Sequence, residues 1–148
     1  MRAVVTRVKH ASVTIDHEKT AEIDQGFLIL LGVCPTDTPA LCTKLAEKIL
    51  SLRVFEDENG KMNRSLTDVG GQVLVVSQFT LYADCSHGRR PSFVGAAGPE
   101  LAVPLYEQFL SECARLGFPP AHGTFGADMK VDSLNNGPVT LLLDTDRL

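Results

Sequence analysis

The chain has 148 residues, 44% of them hydrophobic and 22% charged, a balance that suits one globular domain and excludes a disordered or fibrous chain. A length of this order buries roughly two-thirds of the unfolded surface around a single core. The formal net charge of −4 counts against a module that coats nucleic acid by charge alone, and leaves room for a local basic patch that grips a short end. The longest apolar run, Phe27 to Leu31 with Val33 and Cys34 nearby, is too short to cross a bilayer. With no signal-peptide core at the N-terminus, the expected location is cytoplasmic. Cys34, Cys42, Cys85 and Cys113 show neither C-x-x-C pairing nor a zinc-type histidine spacing, so neither a metal site nor a disulfide is expected.

In chain order, Met1 to Val8 reads as a strand, with Val4, Thr6 and Val8 on one face and Ala3, Val5 and Arg7 on the other. Ala11 to Ile15 is a second short strand, and Asp16-His17-Glu18-Lys19 turns it into a third around Ala21 to Ile23. Gly26 to Val33 is almost continuously apolar, the pattern of a central strand. Thr36-Asp37-Thr38-Pro39 is a helix start, with a capping side chain and a proline preset for the first turn. Leu41, Leu45, Ile49 and Leu52 recur at helical spacing, and the helix should end near Ser51 to Arg53, before a short strand at Val54-Phe55. Asp57-Glu58-Asn59-Gly60 is a turn, and Lys61 to Val69 is polar and irregular, expected to pack over a site.

Val73-Leu74-Val75-Val76 is an unbroken apolar run that reads as a buried strand. It delivers Ser77, Gln78 and Thr80 where it leaves the core; an extended continuation puts Gln78, Thr80 and Tyr82 on one face and Ser77, Phe79 and Leu81 on the other. Ala96 to Pro99 opens a second helix whose buried stripe is Ala102, Leu105, Tyr106, Phe109, Cys113 and Leu116, with Gly117 as its cap. Ala127 to Val131 and Val139 to Leu143 are expected to close as a hairpin around Asn135-Asn136-Gly137. The whole, residues 1–148, reads as one α+β domain of mostly antiparallel sheet layers with two main helices.

A core strand that delivers hydrogen-bonding groups and then the cations Arg89 and Arg90 suits the floor of a site for an anionic substrate. A strand end followed by an ordinary polar turn accounts for the same spacing equally well. Cys85 and His87 could be read as a thiol and its base, yet nothing nearby orients the histidine, and a chance pair in a loop is the simpler reading. Ser77 and Ser92 lack the glycine-flanked elbow of an α/β-hydrolase, and no glycine-rich phosphate loop is present. Thr80 has no base near it in sequence, which favours positioning of substrate or water over covalent catalysis.

Two motifs together carry more weight: Ser77-Gln78-Phe79-Thr80 and Gly137-Pro138-Val139-Thr140. With Met1-Arg2-Ala3-Val4-Val5, Lys61-Met62-Asn63 and Phe125-Gly126-Ala127-Asp128-Met129, they resemble the D-aminoacyl-tRNA deacylase family over nearly the whole chain. The resemblance implies a homodimer, without metal or cofactor, that hydrolyses D-amino acids from the acceptor end of tRNA. It implies that Ser77, Gln78, Phe79 and Thr80 form the catalytic segment, with backbone donors around Phe79 and Thr80 stabilising the oxyanion. It also implies that Gly137 and Pro138, with a bond that can be cis, enter the partner subunit's site and exclude L-aminoacyl groups. Arg7 matches the family arginine that braces this loop, and Phe125 and Met129 match positions that line the pocket and interface. Arg89, Arg90 and Lys130 are the candidates for contacts to tRNA phosphate. The loop Cys85-Ser86-His87 departs from a segment that commonly bears lysine in the family, and Arg64 stands where an apolar residue is common. A non-catalytic module for RNA ends and a cysteine hydrolase using Cys85 are the rival readings.

Overall fold

Strand β1 runs from Arg2 to Ile15 and has neighbours on both edges, in a computed structural model that describes residues 1–148. On one edge its first half pairs with β3 (Gly26–Gly32) and its second half with β2 (Glu18–Ile23); on the other lies β8 (Lys130–Asp144). All three pairings are antiparallel. Beyond β3 the sheet continues with β6 (Gln72–Ser77) and β7 (Ala121–His122), both parallel to their neighbours. The sheet is therefore mixed. The α+β class stands, but the parallel β3–β6–β7 side was not legible from the strand patterns.

The parallel pairing follows from the connection between β3 and β6, which contains α1 (Pro39–Leu50). A parallel return needs such a crossover. Thr38 caps α1 by accepting from the Leu41 N–H, and Pro39 occupies the first turn. α1 packs against α3 (Pro99–Arg115), whose buried stripe is Ala102, Leu105, Tyr106, Phe109 and Cys113. These side chains join Ala3, Val5, Phe27, Ile29 and Leu31 in the main core. Alternation along β3 places Leu28 on the opposite face, in a smaller cluster with Val8, Val13, Leu74 and Val76. Burial pushes the Cys42 and Cys113 thiols up to about 12, as expected of structural cysteines in a core. No helix is long and apolar enough to cross a membrane.

Several expectations are corrected. The two short strands at the N-terminus are one, because β8 pairs across the polar Lys9-His10 break. Lys61 to Val69 is not irregular: it contains β5 (Met62–Arg64), paired with β4 (Phe55–Glu56), and the short helix α2 (Leu66–Val69), started by a Ser65–Asp68 capping box. Its residues also stand apart from the pocket described below. The segment after Ser77 does not stay extended but coils into a 3-10 turn, Phe79–Tyr82. A Cβ on Gly32 would lie only 3.0 Å from the Gln78 carbonyl oxygen, so the bare backbone at Gly32 permits that turn to pack onto β3. The expected closing hairpin is also absent. β8 is a single strand running back along β1, and Asn135-Asn136-Gly137 marks a bulge within it.

The first and last strands of the chain are tied together at one end of the sheet by the Arg2–Asp144 pair, whose Nε and Oδ2 atoms are 2.9 Å apart. Burial alone would raise the Asp144 carboxyl, but the Arg2 bond and the Asp146 amide hold it below its ordinary value of 3.8. A carboxyl depressed in the folded state adds stability that is complete above the ordinary value and lost as pH falls through the folded one. Urea midpoints followed from about pH 6 to about pH 2 will show Asp144→Asn less stable at the upper end and with a shallower acid decline.

Candidate active site

The carboxyl ends of the parallel strands β3 and β6 open into a pocket of about 320 Å³. In sheets of this kind, the strand carboxyl ends are where crevices for ligands form. Leu31 and Val33 line it from β3 and its continuation, and Val76, Ser77, Gln78 and Phe79 from β6 and the turn. Ala102 and Tyr106 of α3 close one wall, and Phe125, Asp128 and Met129 close another. The lining is mainly apolar, with polar groups concentrated where β6 ends. That combination suits a small organic group held by a few directed hydrogen bonds.

The 3-10 turn sets the polar end. Gln78 donates its backbone N–H to the Leu31 carbonyl at 2.7 Å, the last ladder bond before the chain turns. Phe79 and Thr80 then begin the helical turn, where backbone N–H groups have no acceptor within the helix. The Gln78 side-chain amide donates to the Thr80 hydroxyl. Thr80 is exposed and faces a neighbouring groove with Arg2, Val4, Leu81 and Leu142. It therefore touches the pocket through Gln78, and the shared face expected for an extended segment does not exist.

The deep end is structural as well as concave. Tyr106 donates its hydroxyl to the Val75 carbonyl at 3.0 Å, and burial pushes its ionisation up to about 12. It remains a neutral wall. Tyr106 and Phe125 meet with ring centroids 6.0 Å apart, so the predicted pocket residue Phe125 is half core and half lining. Met129 lies over Gly123, where a Cβ would come within 2.3 Å of its sulfur. Sequence reading missed Tyr106 as a pocket residue, since its helical spacing marks only the face that points inward.

No histidine, cysteine or lysine is among the lining residues. Cys85 is exposed in a loop outside the pocket, and the His87 Nδ1 is bonded to the Ser86 hydroxyl at 2.7 Å. The pocket thus offers backbone and amide donors at its polar end, with no thiol and base arranged for attack. Arg89 and Arg90 are exposed in the same loop, whereas Lys130 is bonded to both Asp128 carboxylate oxygens at 2.9 and 3.0 Å.

Gly137 and Pro138 are not among the residues that line this chain's pocket. They sit in the β8 bulge. Thr6 pairs with Thr140 and Val8 with Asn135, so four residues of β8, Asn136 to Val139, stand opposite the single residue Arg7. The Gly137–Pro138 peptide is cis, and Gly137 has φ of +133°, a value that an L side chain rarely adopts. Arg7 is only 4% exposed; its Nε donates to the Asn136 carbonyl at 2.9 Å and its Nη1 to the Val54 carbonyl at 2.6 Å. Glu56, 3.7 Å away and largely exposed, supplies the nearest opposite charge.

An α+β sheet with a small, largely apolar cleft, backbone donors at one end and no nucleophilic dyad defines a class of ligand-holding pocket. The family model described as D-Tyr-tRNA(Tyr) deacylase matches residues 4–144, and the chain belongs to that family. It is 58% identical over 146 residues to a protein of Lacticaseibacillus casei named D-aminoacyl-tRNA deacylase, covering 99% of each. It is 57% identical to one of the same name from Desulfatibacillum aliphaticivorans, over 98% of this chain and 99% of that one. Among solved structures, one described as a c-Myc DNA unwinding element binding protein superposes with a TM-score of 0.91 at 41% identity, covering 97% of this chain and 98% of that chain. A probable eukaryotic D-amino acid tRNA deacylase shares the fold, with a TM-score of 0.80 at 15% identity, over 96% and 97% of the two chains.

Arg7→Met removes the donors to two carbonyls while keeping the apolar stem. Urea unfolding should register a loss of about 2–4 kcal/mol, from the desolvated acceptors left behind.

Proposed function

We propose that the chain hydrolyses the ester that joins a D-amino acid to the 3′ end of tRNA. The observation that carries this reading is the Ser77–Thr80 turn at the mouth of the pocket, in a chain of the deacylase family. The aminoacyl group enters the cleft, and water attacks its carbonyl carbon. The Phe79 and Thr80 N–H groups receive the developing oxyanion, a form of stabilisation that needs no acid–base pair. The vicinal ribose hydroxyl assists from the substrate side, the C–O ester bond breaks, and the tRNA oxygen leaves with a proton. Gln78 orients the terminal adenosine and is itself held by Thr80; Arg89 and Arg90 meet phosphate, and Lys130 does so only by leaving Asp128.

Chirality is read by exclusion. In this reading two copies pair, and the Gly137–Pro138 bulge of each enters the other's pocket and crowds the side of the α-carbon where an L side chain would project. The long edge of β8 supports pairing: it exposes Val131, Leu134 and Leu142, and an uncovered strand edge of this length invites a partner. A filter of this kind accepts D-residues of many sizes and lets glycine through, including glycyl groups mischarged on tRNA-Ala. Translation in the cytoplasm is the setting that the substrate implies.

Incubation with D-Tyr-tRNA and L-Tyr-tRNA, alongside the mass in solution, tests the reading. Release of D-tyrosine alone by a dimer is expected; equal cleavage of both, cleavage by a monomer, or binding without turnover overturns it. Thr80→Val should lower kcat/KM by less than about a thousandfold, because the hydroxyl positions Gln78 and transfers no proton.

A further inference from the structure

Phe79 and Phe93 form an exposed aromatic pair beside the pocket. Their ring centroids are 5.1 Å apart with planes 69° apart, and they are 53% and 39% exposed respectively. No other aromatic of the chain is as exposed as these two, and an edge-to-face pair leaves ring faces free for a third flat group. Phe79 lines the pocket, but Phe93 does not, so Phe93 lies one step outside the space that the terminal residue of a substrate would fill.

The loop that carries Phe93 is built to hold it. Asp84 and Ser92 exchange backbone hydrogen bonds of 2.8 and 2.9 Å, closing the loop, and the Asp84 carboxylate accepts from the Ser86 N–H at 2.9 Å. Between them, Arg89 and Arg90 are exposed and take part in none of the ion pairs of the fold. In a chain of net charge −4, two adjacent unpaired arginines, four and three places before Phe93, join an open aromatic face in one loop to form a local cationic and aromatic receptor. Single-stranded nucleic acid has that chemistry: a flat base to stack and a phosphate to pair.

Resting on the function proposed above, we infer that this loop is a second nucleotide subsite, which takes the residue preceding the terminal adenosine. Phe93 stacks the penultimate base against the Phe79 edge, while Arg89 and Arg90 pair with the phosphate on its terminal side. The subsite is tolerant of base identity, because every base offers a π-face.

Two substrates separate this subsite from the pocket: D-tyrosyl-tRNA, and 3′-O-D-tyrosyl-adenosine, which ends before the subsite. The readout is the ratio of their kcat/KM values, with the dimer mass measured for each variant. Phe93→Ala should lower the ratio by about tenfold or more, as loss of a stacking partner does. Phe93→Leu, which keeps apolar packing on Phe79, should lower it similarly, and Phe93→Trp should preserve it. Arg89→Gln with Arg90→Gln should flatten the salt dependence of the tRNA reaction. An unchanged ratio in Phe93→Ala, a preserved ratio in Phe93→Leu, or a Phe93→Ala variant that fails to dimerise would overturn the subsite; the last outcome would assign the patch to the subunit contact. Wild-type protein that cleaves neither substrate would instead sink the deacylase reading, and the subsite with it.

Discussion

β1 and β8 pair along almost their whole length, and the largest difference in residue count between them is opposite Arg7, with a smaller one at Lys9. Four residues of β8 leave the ladder there; Gly137 and Pro138 are open to water, but the Asn136 carbonyl, turned back toward β1, needs a donor to hold the bulge against the sheet. A buried guanidinium answers that need, because its fork offers several N–H groups at fixed angles. The exposed Glu56 adds little, since a solvent-screened charge at 3.7 Å is a weak partner. The cation is therefore held chiefly by carbonyl oxygens. The bulge in turn is held in one place, as a rigid projection from an otherwise regular strand.

The pocket depends on a different constraint, the parallel pairing of β3 with β6. Parallel strands end side by side, so Leu31 and Ser77 reach the same edge of the sheet together. There Gly32 lets the chain coil tightly, and the backbone donors of the turn are presented without needing to move. On the function proposed above, such fixed dipoles would stabilise developing charge without reorganisation during reaction. Tyr106 closes the back of the cleft while its hydroxyl is occupied by the Val75 carbonyl, which keeps that wall apolar in effect. Pocket and bulge are thus separate constructions, joined through β1, which pairs with β3 on one edge and β8 on the other.

Much of the scaffold was legible in the residues. α1 and α3 follow from apolar side chains recurring at helical spacing beside good caps, and β3 and β6 from unbroken apolar runs. The candidate segments were also legible, though through resemblance of motifs more than through chemistry, since no acid–base pair marks the site. Phe93 was passed over because a lone aromatic in a polar loop has no periodicity. Its significance comes from the ring of Phe79, fourteen places earlier in the chain and 5.1 Å away in space.

By itself the sequence determined what depends on near neighbours: the helices, the buried strands, and the positions of the turn signals. Tertiary structure decided what each signal does. Asn135-Asn136-Gly137 reads as a hairpin turn, yet it became a bulge because β1 offered partners on both sides of it. Ser77 to Tyr82 reads as extended, yet it coiled because β3 ended beside it and left no ladder to follow. A local run of residues sets which backbone angles are easy; only the strand lying alongside can decide which of them close hydrogen bonds.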